Sequence, residues 1–310
     1  MRNRQRRRWS TSILLLVLAL PGCASHRGTG PAQPTRSAPR AAPPTTTSPA
    51  AIRPIGRVVV VVEENHTFDQ IIGSASAPFL NQLATRGVLL TAYHAVSHPS
   101  LPNYLAMTSG DTHRITSNCT GCTVAGPNLA SQLEDAGISW KAYMQGLPVP
   151  CSDVAQSGGY AKKHDPFMYF DTIRRAPRQC AKVVPFSELD TDLAAGRLPR
   201  FAFVVPDQEH DMHDGPVSVA DDWLRELHGR LVASASWQAG TRLVVTFDEG
   251  TDRDNRVATV VAGPSVRPGV DGTTYSHYAL LRSVEALFGL PYLGHAADPS
   301  IATIPVLANP

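Results

Sequence analysis

The sequence predicts an α/β fold, a three-layer α/β/α sandwich on a mainly parallel central sheet. Three observations lead there. Runs such as Val58–Val62 are apolar on both faces, as strands covered by helices on either side must be. Strand-like and amphipathic, helix-like segments alternate along the chain, which is the pattern of repeated βα units. Three apolar runs break off in clusters of acids, amides and histidines, and open α/β sheets carry their ligand crevice at that end of their strands.

Taken in chain order, residues 1–23 combine a basic opening, the apolar run "ILLLVLAL" and "PGC". This is the layout of a bacterial signal peptide, and the run is too short to span a bilayer as a mature helix. Leu20–Cys23 also resembles a lipobox with an unusual Pro21, so the expectation is an exported protein, extracellular or held on the outer face of the membrane through a lipid on Cys23. Residues 24–54 are rich in Pro, Thr, Ser and Ala and lack acids. Such a segment cannot bury enough apolar surface to offset the entropy of ordering, and reads as a tether. The folded domain is expected over residues 55–310.

Within it, "RVVVVV" reads as a buried strand and "APFLNQLATRG" as a helix closed by Gly87. "GVLLTAYHAV" is a strand, and "SLPNYLAMTSG" a short helix with Pro102 in its first turn. "NLASQLEDAG" is a helix and "ISWKAYM" a strand, followed by an irregular stretch from Gly146 to Pro185. "RFAFVVPD", "TRLVVTFDEG" and "RVATVVAGP" are strands, and "SVADDWLRELHGRLVAS" and "SHYALLRSVEALFGLP" are helices with one apolar face.

The formal charge of +2 hides an asymmetry: residues 1–50 hold eight arginines and no acid, leaving 20 basic against 26 acidic residues in the folded part. That balance excludes a nucleic-acid binder. Setting Cys23 aside leaves Cys119, Cys122, Cys151 and Cys180, which in an exported protein should be disulfides. Three pairings are open. Cys119–Cys122 with Cys151–Cys180 is the expectation, and a structural zinc site is the rival reading. Lys162, Lys163, Arg174, Arg175 and Arg178 make this region basic, read as a solvated face, with docking of anionic lipid head groups as the alternative.

The three strand-end clusters are Glu63, Glu64 and Asn65; Asp207 followed by Glu209, His210, Asp211, His213 and Asp214; and Asp248 with Glu249. Each alone could be a solvated loop, but together they crowd carboxylates that repel unless a cation lies among them. Ser97 and Ser100 supply hydroxyls, and Ser100 stands where a helix begins, so dipole and free N–H groups would draw a phosphate toward it. His94, His113, His164, His228 and His295 lack ligand-type neighbours in sequence and are read as ordinary histidines.

The segments "VVVVVEENHTFDQIIG", "SHPSLPNYLAMTSG", "VVPDQEHDMHDG", "TFDEG" and "SHYALLRSVEALFG" resemble the bacterial phosphoesterase family, which holds phospholipases C and metal-dependent acid phosphatases within the alkaline phosphatase-like superfamily. The first carries that family's Glu-Asn-(Arg/His)-(Ser/Thr)-(Phe/Tyr)-Asp signature, and the similarity spans nearly all of residues 57–290, most of all to secreted actinobacterial acid phosphatases. The resemblance implies Glu64, Asn65, Asp248 and Glu249 as metal ligands and Ser100 as nucleophile. It places Asp207, His210 and His277 as second-metal or phosphate contacts. His98, His210 and His277 become candidates to hold phosphoryl oxygens or protonate the leaving alcohol, with His213 and Asn103 on the substrate. A histidine that donates must be protonated, which favours mildly acidic conditions. Oxygen ligands favour Ca²⁺, Mg²⁺ or Mn²⁺ over Zn²⁺ or Fe. The implied activity is metal-dependent phosphomonoester hydrolysis through a phosphoserine, on a phosphate monoester that includes phosphoinositide lipid, by a monomer. A phospholipase C-type phosphodiesterase and a non-catalytic metal-binding surface protein are the competing readings.

Overall fold

The computed structural model describes residues 56–308, so the expected signal peptide, Cys23 and tether lie outside the described residues. The central sheet contains β1 (Arg57–Glu63), β2 (Val88–His94), β3 (Trp140–Met144), β4 (Val183–Pro185), β5 (Phe201–Val205), β6 (Thr241–Phe247), β7 (Thr259–Ala262) and β8 (Gly269–Ser276). Their spatial order is β8-β2-β7-β6-β1-β5-β3-β4. The valine run of β1 lies between β5 and β6, parallel to both, and Val58 to Glu63 are all buried. Every pairing in this sheet is parallel except the two made by β7, with β2 and with β6. Two antiparallel steps in succession restore direction. The β2–β8 pair therefore points the same way as β1, and the carboxyl ends of the seven parallel strands share one edge.

The helices that matter for the site are α1 (Pro78–Arg86), α2 (Ser100–Ser109), α3 (Leu129–Asp135), α4 (Glu188–Ala194), α5 (Val217–Ala233) and α6 (His277–Phe288). They form two layers: α2 packs with α3 and α6, and α5 with α1 and α4. All ten residues of α2 are buried, as its small and apolar sequence allows. It ends at Gly110, which takes φ 74°, and a Cβ there would meet the Leu293 carbonyl oxygen at 2.2 Å. Helix α1 has no side-chain cap of its own; Asp221 of α5 accepts from the N–H groups of Phe79 and Leu80, both at 2.8 Å, and caps it from the neighbouring helix.

Two strands differ from the sequence expectation. β8 is polar and largely exposed at one edge, and β4 at the other is only three residues long, with Val183 and Val184 buried. The stretch from Gly146 to Pro185, expected to be irregular, also holds a short hairpin pairing Gln156–Ser157 to Tyr160–Ala161 and short helical turns at Lys162–His164, Pro166–Tyr169, Asp171–Arg174 and Pro177–Cys180. Both expected disulfides form, with Cα–Cα distances of 5.8 Å for Cys119–Cys122 and 5.0 Å for Cys151–Cys180, which removes the thiolates a zinc site would need. The reading of Lys162 as part of a solvated face is corrected: it is 3% exposed, and its ammonium donates to Thr120 O at 2.8 Å and pairs with Asp153 at 2.6 Å.

Candidate active site

Because the parallel strands share one edge, the segments that follow β1, β2, β3, β5, β6 and β8 converge there. Ser100 opens α2 just past β2, with Pro99 at the N-cap position. Its Oγ lies 3.2 Å from Glu64 Oε2, past β1, and 3.3 Å from Glu249 Oε1, past β6. One turn further along α2, the Tyr104 hydroxyl donates to Glu64 Oε1 at 2.6 Å. Asp248 Oδ1 accepts from the backbone N–H groups of Asn65 at 3.1 Å and Glu249 at 2.6 Å, while the buried Oδ2 has no hydrogen-bond partner among the described residues. Asn65 takes φ 58°, a left-handed conformation that asparagine tolerates. Ser100, Glu64, Asn65, Asp248 and Glu249 thus form one constellation beside an open cleft of about 540 Å³, whose lining includes Asn65, His98, Glu249 and Arg253.

The electrostatics are unfavourable without a positive charge. Burial holds the Glu64 carboxyl well above the usual carboxylate range, with Asp211 adding to it. Burial does the same to Asp248, followed by the charges of Glu64 and Glu249. The Asp211 carboxyl is pushed up to about 9, mainly by burial. Carboxylates this close in a low dielectric repel strongly. The unpartnered Asp248 Oδ2 and the oxygens that flank Ser100 are therefore suited to a hard divalent cation.

The histidines divide sharply. His210 Nδ1 meets Asp207 Oδ1 at 2.6 Å, and Nε2 has no partner among the described residues. Asp207, expected among the metal ligands, orients His210 in this dyad through Oδ1, which also accepts from the His210 backbone N–H at 3.1 Å. His98 is fixed on both sides, Nδ1 by the Glu249 carboxylate and Nε2 by Asp252 O at 3.1 Å, so it positions Glu249. His277 is fully buried; its Nε2 donates to Asp248 O at 2.6 Å and its Nδ1 faces the Tyr93 hydroxyl at 3.1 Å. Burial lowers its pKa to about 4. The expectation that His277 touches phosphate or protonates a leaving group is corrected, because both nitrogens are used to hold the Asp248 backbone. The expectation for Asn103 is corrected likewise. It is 0% exposed, accepts from the N–H groups of Val96 and Ser97 at 3.0 Å each, and donates to Ser97 O and Pro99 O. It shapes the turn before Ser100 and has no face left for substrate.

Sequence reasoning missed three residues. Tyr104 is legible in principle, four residues after Ser100 and so on the same helix face. Asp211 stands in a cluster already flagged. His164, read as an ordinary histidine, is buried with Nε2 3.2 Å from Glu64 Oε1 and Nδ1 3.2 Å from Asp211 Oδ2, stacked on the Tyr104 ring. Nothing around it in sequence signals this. Glu64, His164 and His213 each offer a ligand atom, all within 4.8 Å of one another. His213 is further held by Asp214 Oδ1 at 2.6 Å on Nδ1 and by Lys163 Nζ at 2.7 Å on Nε2.

The phosphoesterase family matches residues 74–291. A phosphatidylinositol-3-phosphatase of Mycobacterium tuberculosis is 40% identical over 263 residues, covering 82% of this chain and 84% of the relative. A probable acid phosphatase of Kluyveromyces lactis is 30% identical over 263 residues; the match covers 80% of this chain but only 62% of that longer protein. A protein of the alkaline phosphatase superfamily from Vibrio parahaemolyticus superposes with a TM-score of 0.56 at 15% identity, over 79% of this chain and 70% of that one.

Proposed function

The chain belongs to the phosphoesterase family, and on that premise we propose that it is an acid phosphatase-type phosphomonoesterase that passes the phosphoryl group through Ser100. The observation that carries this reading is the Ser100 hydroxyl at the first turn of α2, within 3.3 Å of carboxylates from two different strand ends. Glu64, Asn65, Asp248 and Glu249 would hold a divalent cation, which when bound supplies positive charge to neutralise these acids and the phosphoryl oxygens.

Ser100 Oγ attacks phosphorus, giving up its proton to a flanking carboxylate as the O–P bond forms. The positive end of α2 favours the anionic group brought to it. His210, oriented by Asp207, donates its Nε2 proton to the departing alcohol oxygen as the second O–P bond breaks. It then takes a proton from the water that attacks phosphorus, and as the Ser100 O–P bond breaks the Ser100 oxygen recovers its proton from the flanking carboxylate. The name of the mycobacterial relative makes phosphorylated inositol lipids the substrate class to try first. Two disulfides support an oxidising compartment, hence export. No described helix is long and apolar enough to cross a membrane.

Purified protein is assayed on p-nitrophenyl phosphate and bis(p-nitrophenyl) phosphate, with and without chelator. The expected result is monoester turnover that falls on chelation and drops roughly a thousandfold or more in Ser100→Ala. Turnover of the diester alone would favour a phospholipase C-type enzyme, and turnover of neither a metal-binding protein without catalysis.

A further inference from the structure

Lys163 lies within the basic stretch read from sequence as a solvated face, yet it is only partly exposed and points to the site. Its Nζ is 2.7 Å from His213 Nε2, the one His213 nitrogen not already held by Asp214. No carboxylate pairs with it among the described residues, and its remaining N–H groups have no hydrogen-bond partner there. Its charge is nonetheless felt by Glu64, where it opposes the effect of burial. The Glu64–His164–His213 group has the donor set of a metal centre, but an ion bound there would need a lone pair of His213 that faces the ammonium.

We infer that Lys163 is the resident cation of the Glu64–His164–His213 cluster and keeps a metal ion out of it. Contacts run continuously from Ser100 Oγ to Glu64 and from Glu64 to His164, with His213 within 4.8 Å of both, and then to Lys163. An ammonium there supplies fixed positive charge on the side of Glu64 turned away from Ser100, with no dependence on metal supply.

The test counts metal. Wild type, Lys163→Met, Lys163→Arg and Lys163→Met/His213→Ala are equilibrated with excess Zn²⁺, desalted, and their zinc measured by mass spectrometry, with near-ultraviolet circular dichroism to check folding. Lys163→Met is expected to retain one more equivalent than wild type, Lys163→Arg the wild-type count, and the double variant to lose the extra ion. Lys163→Gln serves if the Met variant folds poorly. Equal zinc counts in wild type and Lys163→Met overturn the proposal. A wild type that fails to hydrolyse the monoester defeats the functional reading instead and leaves the zinc counts readable.

Discussion

Individual side chains at this site are decided by what their polar atoms already touch. His277 opens a helix at a strand end, so its position is visible in sequence, but its role turns on burial and on two hydrogen bonds that no local pattern encodes. Asn103 follows the same rule, and His164 inverts it, since an unremarkable residue is brought between Glu64 and Asp211 by contacts distant in sequence. Tyr104 allows a clean test. Its hydroxyl donates to Glu64 Oε1 while its ring stacks on His164 at 5.5 Å and 17°. Tyr104→Phe keeps the ring and removes one donor from a fully buried carboxylate. A hydrogen bond to a charged group is worth about 1.5–3 kcal/mol, so kcat/KM for p-nitrophenyl phosphate should fall about 10- to 100-fold. An unchanged kcat/KM would mean that Glu64 needs no such support.

At the level of elements, the core strands were legible because β1, β5 and β6 are buried on both faces and carry near-continuous apolar runs. The convergence of their acidic ends followed from parallel direction alone. β4 and β8 were not legible: β4 buries only Val183 and Val184, too few to show a pattern, and β8 is largely exposed. Least legible was the segment between Cys151 and Cys180, which has little regular structure yet carries Lys163 and His164 to the site. Its placement depends on a cross-link with a sequence separation of 29. A loop of that length implies about 3–4 kcal/mol of stabilisation through the unfolded chain. The Cys151→Ser/Cys180→Ser variant should show a urea midpoint lower by the corresponding amount. Its kcat/KM should fall even at 10 °C in the absence of denaturant, because the two site residues lose their anchor. Lower stability with full activity would show that packing of Phe167, Tyr169 and Phe170 alone holds the segment.

Across the whole molecule, the buried acids set how stability depends on pH and on metal. Without a cation, Glu64, Asp248 and Asp211 have folded-state pKa values above their unfolded ones, chiefly through burial. A carboxyl raised in this way favours the fold at pH values below its unfolded pKa, near 4. That contribution is lost as pH rises, because the unfolded chain ionises freely while the folded site must either keep its protons or accept buried charge. A bound divalent ion reverses the balance, since it stabilises the ionised carboxylates and competes with protons for them. Metal should therefore stabilise little at pH 5 and strongly at pH 8. At free ion concentrations 100 times Kd the gain is about 2.7 kcal/mol, which for a domain of this size raises Tm by roughly 5–10 °C. Thermal melts with Mn²⁺ and with chelator, at pH 5 and pH 8, measure the difference directly. The Glu64→Gln/Asp248→Asn variant should lose the metal response and show a smaller fall in chelated stability between the two pH values, since Asp211 still contributes to that fall. A metal-induced shift equal at both pH values would place the ion away from these carboxylates, and with it the charge that the Ser100 chemistry requires.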